Sequence, residues 1–282
     1  MDIQVLGALA VRERGVSITP TAPKPRRVLA LLALHADQVV PVSALIEELW
    51  AGEPPRSART TLQTYVLQLR ALIATALEQV AQDGAREAAR APRTAKDVLV
   101  TLPGGYLLDS HGGTSDVREF DRLAGTGHRA MDAGDFPGAA RLLREALSLW
   151  SGPAFADVQG GVQLDMETRR LEETRLCALD QRIDADLRLG RHRELIAELT
   201  VLVSRYRTHE NLHGQFMLAL HRSGRRGEAL DVYQRLRATL VRELGLEPSA
   251  ALRGLQRSML TAVPDAAAGT DGSAGDRLLR VG

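Results

Sequence analysis

The sequence predicts a mainly α-helical chain of two parts, a small domain of strands and helices followed by a longer all-helical domain. In residues 1–110, short segments with the apolar and polar alternation of strands lie before and after three helical patterns. From residue 116 onward nearly every segment has helical periodicity, interrupted at glycines. A length of 282 residues also favours two domains.

Bulk composition gives no sign of a polyanionic partner. The formal charge is +1, from 36 Lys and Arg against 35 Asp and Glu, so a nucleic-acid site would have to be a local cluster. Cys177 is the single cysteine, which excludes an internal disulfide, and its helical surroundings predict a buried thiol. Neither a signal peptide nor an apolar run of about 20 residues is visible, so we expect a cytoplasmic protein with no membrane partner.

The order of elements in the first part is that of a winged helix–turn–helix. Short strands are predicted over residues 3–18, with turns at Gly7 and Arg14-Gly15. A helix is predicted over residues 25–35, and a second one is opened by Pro41 with Ser43 as its cap. After a third helix, a strand, a turn and a strand over residues 98–108 predict the wing hairpin.

The third helix, which begins near Ser57, has an apolar face and a face suited to reading DNA. Leu62, Val66, Leu69 and Ile73 recur at helical spacing and should be buried together. The opposite face carries uncharged hydrogen-bonding groups between arginines, and Arg and Gln can each bridge two atoms of one base. A solvated helix in a structural domain is the alternative. The predicted base contacts are Arg59, Thr60, Gln63, Thr64 and Leu67.

Phosphate contacts are expected around this face. Basic residues cluster where the first helix begins, and a helix N-terminus already favours an anion. Arginines at the margins of the third helix and polar residues on the wing complete the set. A solvated basic cluster and a purely structural hairpin are the alternatives. The predicted phosphate contacts are Lys24, Arg26, Arg27, Arg56, Arg70, Thr101 and Tyr106.

Glycine-containing breaks recur through the second part, at Gly134, Gly190 and Gly224. The last two lie 34 residues apart, which is the period of tetratricopeptide helix pairs. Such arrays serve protein contacts, so this part is interpreted as an interaction module that is interrupted near residues 150–153. The composition of residues 263–282 predicts a disordered tail.

Catalytic signatures are absent from the sequence. It contains no phosphate-binding glycine loop, no nucleophile elbow and no histidine spacing typical of metal ligands. His209 and His213 are four residues apart but lack the accompanying glutamate of a zinc motif. We therefore expect neither an enzyme nor a bound cofactor or metal.

Several of these segments together resemble the Streptomyces antibiotic regulatory proteins. Glu243-Leu244-Gly245-Leu246-Glu247-Pro248-Ser249 resembles the end of their bacterial transcriptional activation domain, and Gly104-Gly105-Tyr106 resembles their wing. The resemblance covers roughly residues 3 to 260. The segments similar to the first, second and recognition helices of the family are residues 22–32, 39–50 and 61–70.

The resemblance implies an OmpR-type winged helix over residues 1–110 and an activation domain with tetratricopeptide-like helices over residues 116–262. Family members activate gene clusters for antibiotics or other secondary metabolites. They bind direct repeats near the promoter −35 element as head-to-tail protomers, and recruit RNA polymerase including its sigma factor. The resemblance thus implies a nucleoid-associated location, with a polymerase-facing loop of Gly52, Glu53, Pro54 and Pro55.

One segment departs from the family pattern. Residues 78–97 make a longer connection between the third helix and the wing than is usual, and are interpreted as an insertion. Two other functions stay open at this point, a helical-repeat scaffold whose winged helix serves protein contacts, and a regulator whose helical domain senses a ligand.

Overall fold

The computed structural model describes residues 1–83 and 93–261 and confirms the predicted fold class. The predicted tail, and part of the predicted insertion, lie outside the described residues. The chain divides into two compact units. The first contains Met1–Gly127 and Leu142–Ala178, and the second contains His128–Arg141 and the described part of Leu179–Gly282.

The first 115 residues alternate between strands and helices. The strands are β1 (Asp2–Gln4), β2 (Ala10–Glu13), β3 (Val16–Ser17), β4 (Val39–Pro41), β5 (Leu99–Leu102), β6 (Gly105–Leu108) and β7 (Thr114–Ser115). The helices are α1 (Pro23–Leu34), α2 (Val42–Trp50), α3 (Ala58–Asp83) and α4 (Ala95–Val98).

The described residues beyond Ser115 form helices only. These helices are α5 (Asp116–Asp132), α6 (Phe136–Ser148), α7 (Val162–Arg188), α8 (His192–Arg205), α9 (Glu210–Arg222), α10 (Arg226–Leu244) and α11 (Ala250–Thr261). None of the helices in the described part of the chain combines the length and apolar character needed to cross a membrane.

The first sheet has the strand order β3-β2-β1-β7. Its antiparallel part confirms the strands predicted over residues 3–18. Its fourth strand, β7, is not among the strands predicted from the sequence: Thr114 and Ser115 pair in parallel with Asp2 and Ile3. A two-residue strand that pairs across more than 100 residues leaves no local periodicity to detect.

The second sheet, β4-β6-β5, contains the predicted wing hairpin, with Gly104 at a φ of +81° in its turn. The predicted cap at Ser43 was wrong. Val39–Pro41 is a strand paired with β6, α2 begins at Val42, and no side chain caps it. The backbone N–H of Val42 instead donates to the Gly104 carbonyl at 2.9 Å, so the wing turn supplies the missing acceptor.

Helices α1, α2 and α3 enclose the core of the winged helix. The predicted apolar face of α3 is confirmed, since Leu62, Val66, Leu69 and Ile73 are each at most 2% exposed. This burial orients α3 so that its other face is presented outward.

A buried carboxylate joins α2 to α7 within the first unit. Glu48 is 1% exposed, and its side chain accepts the backbone N–H groups of Gly161, Gln163 (2.9 Å) and Leu164 (3.1 Å). These are donors that the first turn of α7 cannot satisfy within the helix, and the helix dipole adds to the attraction.

The interruption predicted near residues 150–153 is where the chain lies against the first sheet. The backbone N–H of Ser151 donates to the Leu6 carbonyl, and that of Phe155 donates to the Val5 carbonyl, both at 2.9 Å. Gly7 faces Ser151 so closely that a Cβ there would overlap its hydroxyl. Gly7 is therefore a position of close approach as well as a turn residue.

Asp116, the first residue of α5, also holds the end of β1. Its carboxylate accepts the backbone N–H groups of Val5 at 2.7 Å and Leu6 at 2.8 Å. Burial raises the pKa of Asp116 above its ordinary value, although these hydrogen bonds act in the opposite direction.

The glycine breaks are confirmed as turns between helices. Gly134, Gly190 and Gly224 have φ values of +77°, +78° and +80°, which side-chain-bearing residues rarely adopt. The prediction of a buried thiol was wrong, since Cys177 is exposed while the adjacent Ala178 takes the buried position of α7.

Replacing Glu48 by Gln should lower the free energy of unfolding by about 1–3 kcal/mol, because one neutral acceptor oxygen cannot satisfy three N–H groups. Urea unfolding followed by circular dichroism measures this. Glu47→Gln is the matched control, since exposed Glu47 makes only a side-chain hydrogen bond to Gln163 and should change stability by less than about 0.5 kcal/mol. Equal losses for the two variants would contradict the capping role.

Asp37, at a φ of +68°, links the turn after α1 to Ser110 and to Arg118. Burial by itself would raise the pKa of Asp37, but hydrogen bonds from Ser110 and the charge of Arg118 lower it overall. The stabilisation is therefore present above the unfolded-state pKa and is lost as pH falls through the lowered one.

We expect Asp37→Asn to unfold at a lower temperature than wild type at neutral pH, since Asn tolerates the backbone angle but lacks the charge. The difference should shrink as the pH falls below the ordinary value of 3.8. Thermal unfolding at a series of pH values tests this, and a difference that persists under acid would refute the assignment.

Candidate nucleic-acid interface

The outward face of α3 brings together the residues predicted to contact bases. Arg59, Thr60, Gln63, Thr64 and Leu67 are all exposed. Leu67 is 63% exposed. One rigid helix thus presents planar donors, an amide, hydroxyls and an apolar group, the set of functions that reads base edges in a major groove.

Hydrogen bonds within α3 restrict what its threonines can offer. The hydroxyl of Thr64 donates to the Thr60 carbonyl at 3.1 Å. Its proton is therefore occupied, and the hydroxyl oxygen is left to accept, for example from an amino group of a base.

Arg70 joins α3 to the wing. Its Nη2 atom donates to the Leu99 carbonyl and to the Thr101 hydroxyl, both at 2.7 Å, and its Nε atom donates to the same carbonyl at 3.1 Å. Two residues predicted to contact phosphates therefore contact each other. This arrangement fixes the angle between the recognition helix and the hairpin.

The basic cluster at the start of α1 is divided between the surface and internal contacts of the first unit. Arg26 forms an ion pair with Asp157 and donates to two backbone carbonyls. Arg27 donates to the Glu48 carbonyl at 3.2 Å. Lys24 is exposed, with its ammonium 5.4 Å from the centre of the Trp50 ring.

The wing presents its turn and one strand to solvent. Thr101, Pro103 and Gly104 are exposed, whereas Tyr106 is 7% exposed and packs inward. Exposed Lys96, on α4, immediately precedes the hairpin and is an additional cation that the list of predicted contacts did not include. In the sequence, the position of Lys96 just before the predicted hairpin could have identified it as a candidate contact.

The loop between α2 and α3 is exposed from Gly52 to Pro55. It turns sharply, with Ala51 at a φ of +45° and Gly52 at +92°. An open groove runs between this loop and α2, lined by Ile46, Glu47, Pro54 and Arg59 among others. The predicted polymerase-facing residues therefore lie beside the base-reading face on the same unit.

No group of three or more His, Cys, Asp or Glu side chains suited to a metal occurs within residues 1–83 and 93–261.

Comparison with known proteins gives two family matches. Residues 16–82 match the C-terminal domain of transcriptional regulatory proteins, and residues 115–260 match the bacterial transcriptional activator domain. The regulatory protein DnrI of Streptomyces peucetius is 51% identical over 264 residues, which cover 94% of this chain and 93% of DnrI.

Longer regulators share the same region. AfsR of Streptomyces coelicolor is 36% identical across 92% of this chain, which spans only 24% of AfsR. The solved structure of Mycobacterium tuberculosis EmbR in complex with a low-affinity phosphopeptide is 31% identical, with a TM-score of 0.79. That alignment covers 92% of this chain and 64% of EmbR. The protein therefore belongs to the Streptomyces antibiotic regulatory protein family of transcriptional activators, with an OmpR-type winged helix and a bacterial transcriptional activator domain.

Proposed function

We propose that this activator binds specific promoter sequences of a secondary-metabolite gene cluster, such as one for an antibiotic. The observation that carries the proposal is the exposed face of α3, held in a fixed relation to the wing by Arg70. A helix that is braced in this way can enter the major groove while the hairpin follows the adjacent backbone. Membership of the Streptomyces antibiotic regulatory protein family supports a role in antibiotic production.

The geometry narrows the proposed phosphate contacts. Lys24, Arg56 and Thr101 are exposed and suited to the DNA backbone. Arg26 and Arg27 have their guanidinium groups in contacts within the first unit, and we propose that they orient α1. Arg70 and Tyr106 are assigned to the internal support of the wing. The proposed base contacts stay as the sequence predicts them.

Activation is proposed to follow from binding at direct repeats near the −35 element by head-to-tail protomers. The loop of Gly52, Glu53, Pro54 and Pro55 would face RNA polymerase and its sigma factor. Its position beside the base-reading face supports this, because a polymerase bound next to the repeats could reach both.

A salt titration on a promoter fragment from the neighbouring gene cluster tests DNA binding. We expect binding that prefers this fragment over scrambled DNA and that weakens steeply with salt, with a slope of about −0.9 per phosphate contact. Indifference to both sequence and salt would overturn the proposal and favour a scaffold. Binding that needs an added pathway metabolite would favour a ligand-responsive regulator.

Gln63→Ala should cost about 1–3 kcal/mol on the preferred sequence and little on scrambled DNA, because it removes a base contact. Arg56→Ala is the comparison and should weaken both about equally, since it removes a phosphate contact. Competition binding measures, for each variant, the ratio of its affinity for the preferred sequence to its affinity for scrambled DNA. Identical behaviour of the variants would show that the division into base and phosphate contacts is wrong.

Arg70→Gln should loosen the wing in the free protein, because the hydrogen bonds to Leu99 and Thr101 are lost. Amide hydrogen exchange across Leu99–Leu102 should accelerate, whereas Arg56→Gln should leave it unchanged. If hydrogen exchange is unchanged and the salt dependence of DNA binding falls by about 0.9 in slope, Arg70 contacts a phosphate and does not support the wing.

A further inference from the structure

The exposed face of α7 carries residues at the spacing of a helix–helix contact. On its inner face, Leu164, Leu171 and Ala178 are at most 1% exposed. Four exposed residues of the opposite face are separated by four, three and four positions, which is the spacing of a coiled-coil seam. All four belong to the first unit. We name them the α7 stripe, and they are Val162, Met166, Arg169 and Glu173.

Two members of the α7 stripe are apolar although they face solvent. Val162 is 41% exposed and Met166 is 62% exposed. Because they are four residues apart on one helix, their side chains are neighbours and form one apolar surface. Covering this surface with a second helix would remove it from water, which favours association.

The other two members of the α7 stripe are charged and unpaired. Within the described part of the chain, Arg169 and Glu173 form no hydrogen bond or ion pair with a side chain. By contrast, Arg170 pairs with Glu167 on the same helix at 2.7 Å. An acidic residue placed after the basic one is the less favourable order for a pair within a helix, so both charges are left for another chain.

A second copy of α7 that runs antiparallel to the first complements this pattern. With a two-fold axis at the level of Leu171, Arg169 of each copy faces Glu173 of the other, because the two residues lie two positions on either side of the axis. Four charges of alternating sign then surround the axis. A parallel pair would place each residue against its own copy, which brings like charges together.

We propose that the α7 stripe is a contact between two copies of this chain, with their α7 helices antiparallel. A single helix pair is a smaller contact than the roughly 1,200–2,000 Å² of a stable interface, so the dimer is weak and forms at high protein concentration. RNA polymerase is the competing occupant of the stripe.

The symmetry of this contact separates it from the arrangement proposed on DNA. A two-fold contact joins the same surface of both copies, whereas direct repeats require head-to-tail protomers. The inference therefore goes beyond the proposed function and is tested without DNA. Failure of the chain to bind a promoter would count against the proposed function and would leave the α7 stripe unaffected.

Sedimentation velocity of the full chain over a series of concentrations measures self-association. Wild type should pass from monomer to dimer as the concentration rises. Arg169→Glu and Glu173→Arg each place like charges across the axis, so each should raise the Kd of the dimer by about tenfold or more. Thermal unfolding checks that the variants are folded.

Two combinations should restore association. An equal mixture of the Arg169→Glu and Glu173→Arg proteins should form heterodimers, because every charge then faces an opposite one. The double variant Arg169→Glu/Glu173→Arg should dimerise as wild type does. Asp231→Arg, which reverses an exposed charge on α10, is the matched control and should leave the Kd unchanged.

The proposal is overturned if wild type stays monomeric at every concentration, if the single variants associate as wild type does, or if their mixture stays monomeric. A monomeric wild type whose α7 stripe variants bind DNA normally but activate transcription less in vitro would also overturn it, and would assign the stripe to polymerase.

Discussion

The buried carboxylate of Glu48 is the contact on which the arrangement of the first unit depends. Removing a charge from water is costly, and here the cost is offset by three backbone N–H groups at the start of α7. The contact also requires glycine at position 161, where a Cβ would overlap the Glu48 carbonyl. Because Arg27 donates to that same carbonyl, one residue of α2 joins α1, α2 and α7.

This junction changes how the basic residues of the winged helix are used. Arg26 and Arg27 lie at a helix N-terminus, where a cation cluster indicates phosphate binding, yet they hold α1 against Asp157 and Glu48. Arg70 similarly holds the wing against α3. The guanidinium groups of these three arginines are thus engaged in contacts within the first unit.

A near-neutral total charge conceals how unevenly charge is distributed along the chain. Carboxylates such as Asp157 and Glu48 are used at internal contacts of the first unit, whereas in the second unit several arginines lie at the turns around Gly190 and Gly224, which Arg222 joins through the Leu187 carbonyl. The same positive-φ turns that reverse the helices thus also gather charges from separate parts of the sequence.

The sequence by itself determined whatever depends on neighbours a few residues apart. Leu62, Val66, Leu69 and Ile73 defined the buried face of α3, and with it the exposed residues opposite, because helical geometry converts spacing into direction. Gly134, Gly190 and Gly224 marked turns because few other residues adopt their backbone angles. Only the tertiary structure decided that Thr114–Ser115 is a strand, that Glu48 caps α7 and that Arg26 faces inward. Each of these depends on a partner more than 100 positions away, and such partners leave no periodic trace in the sequence.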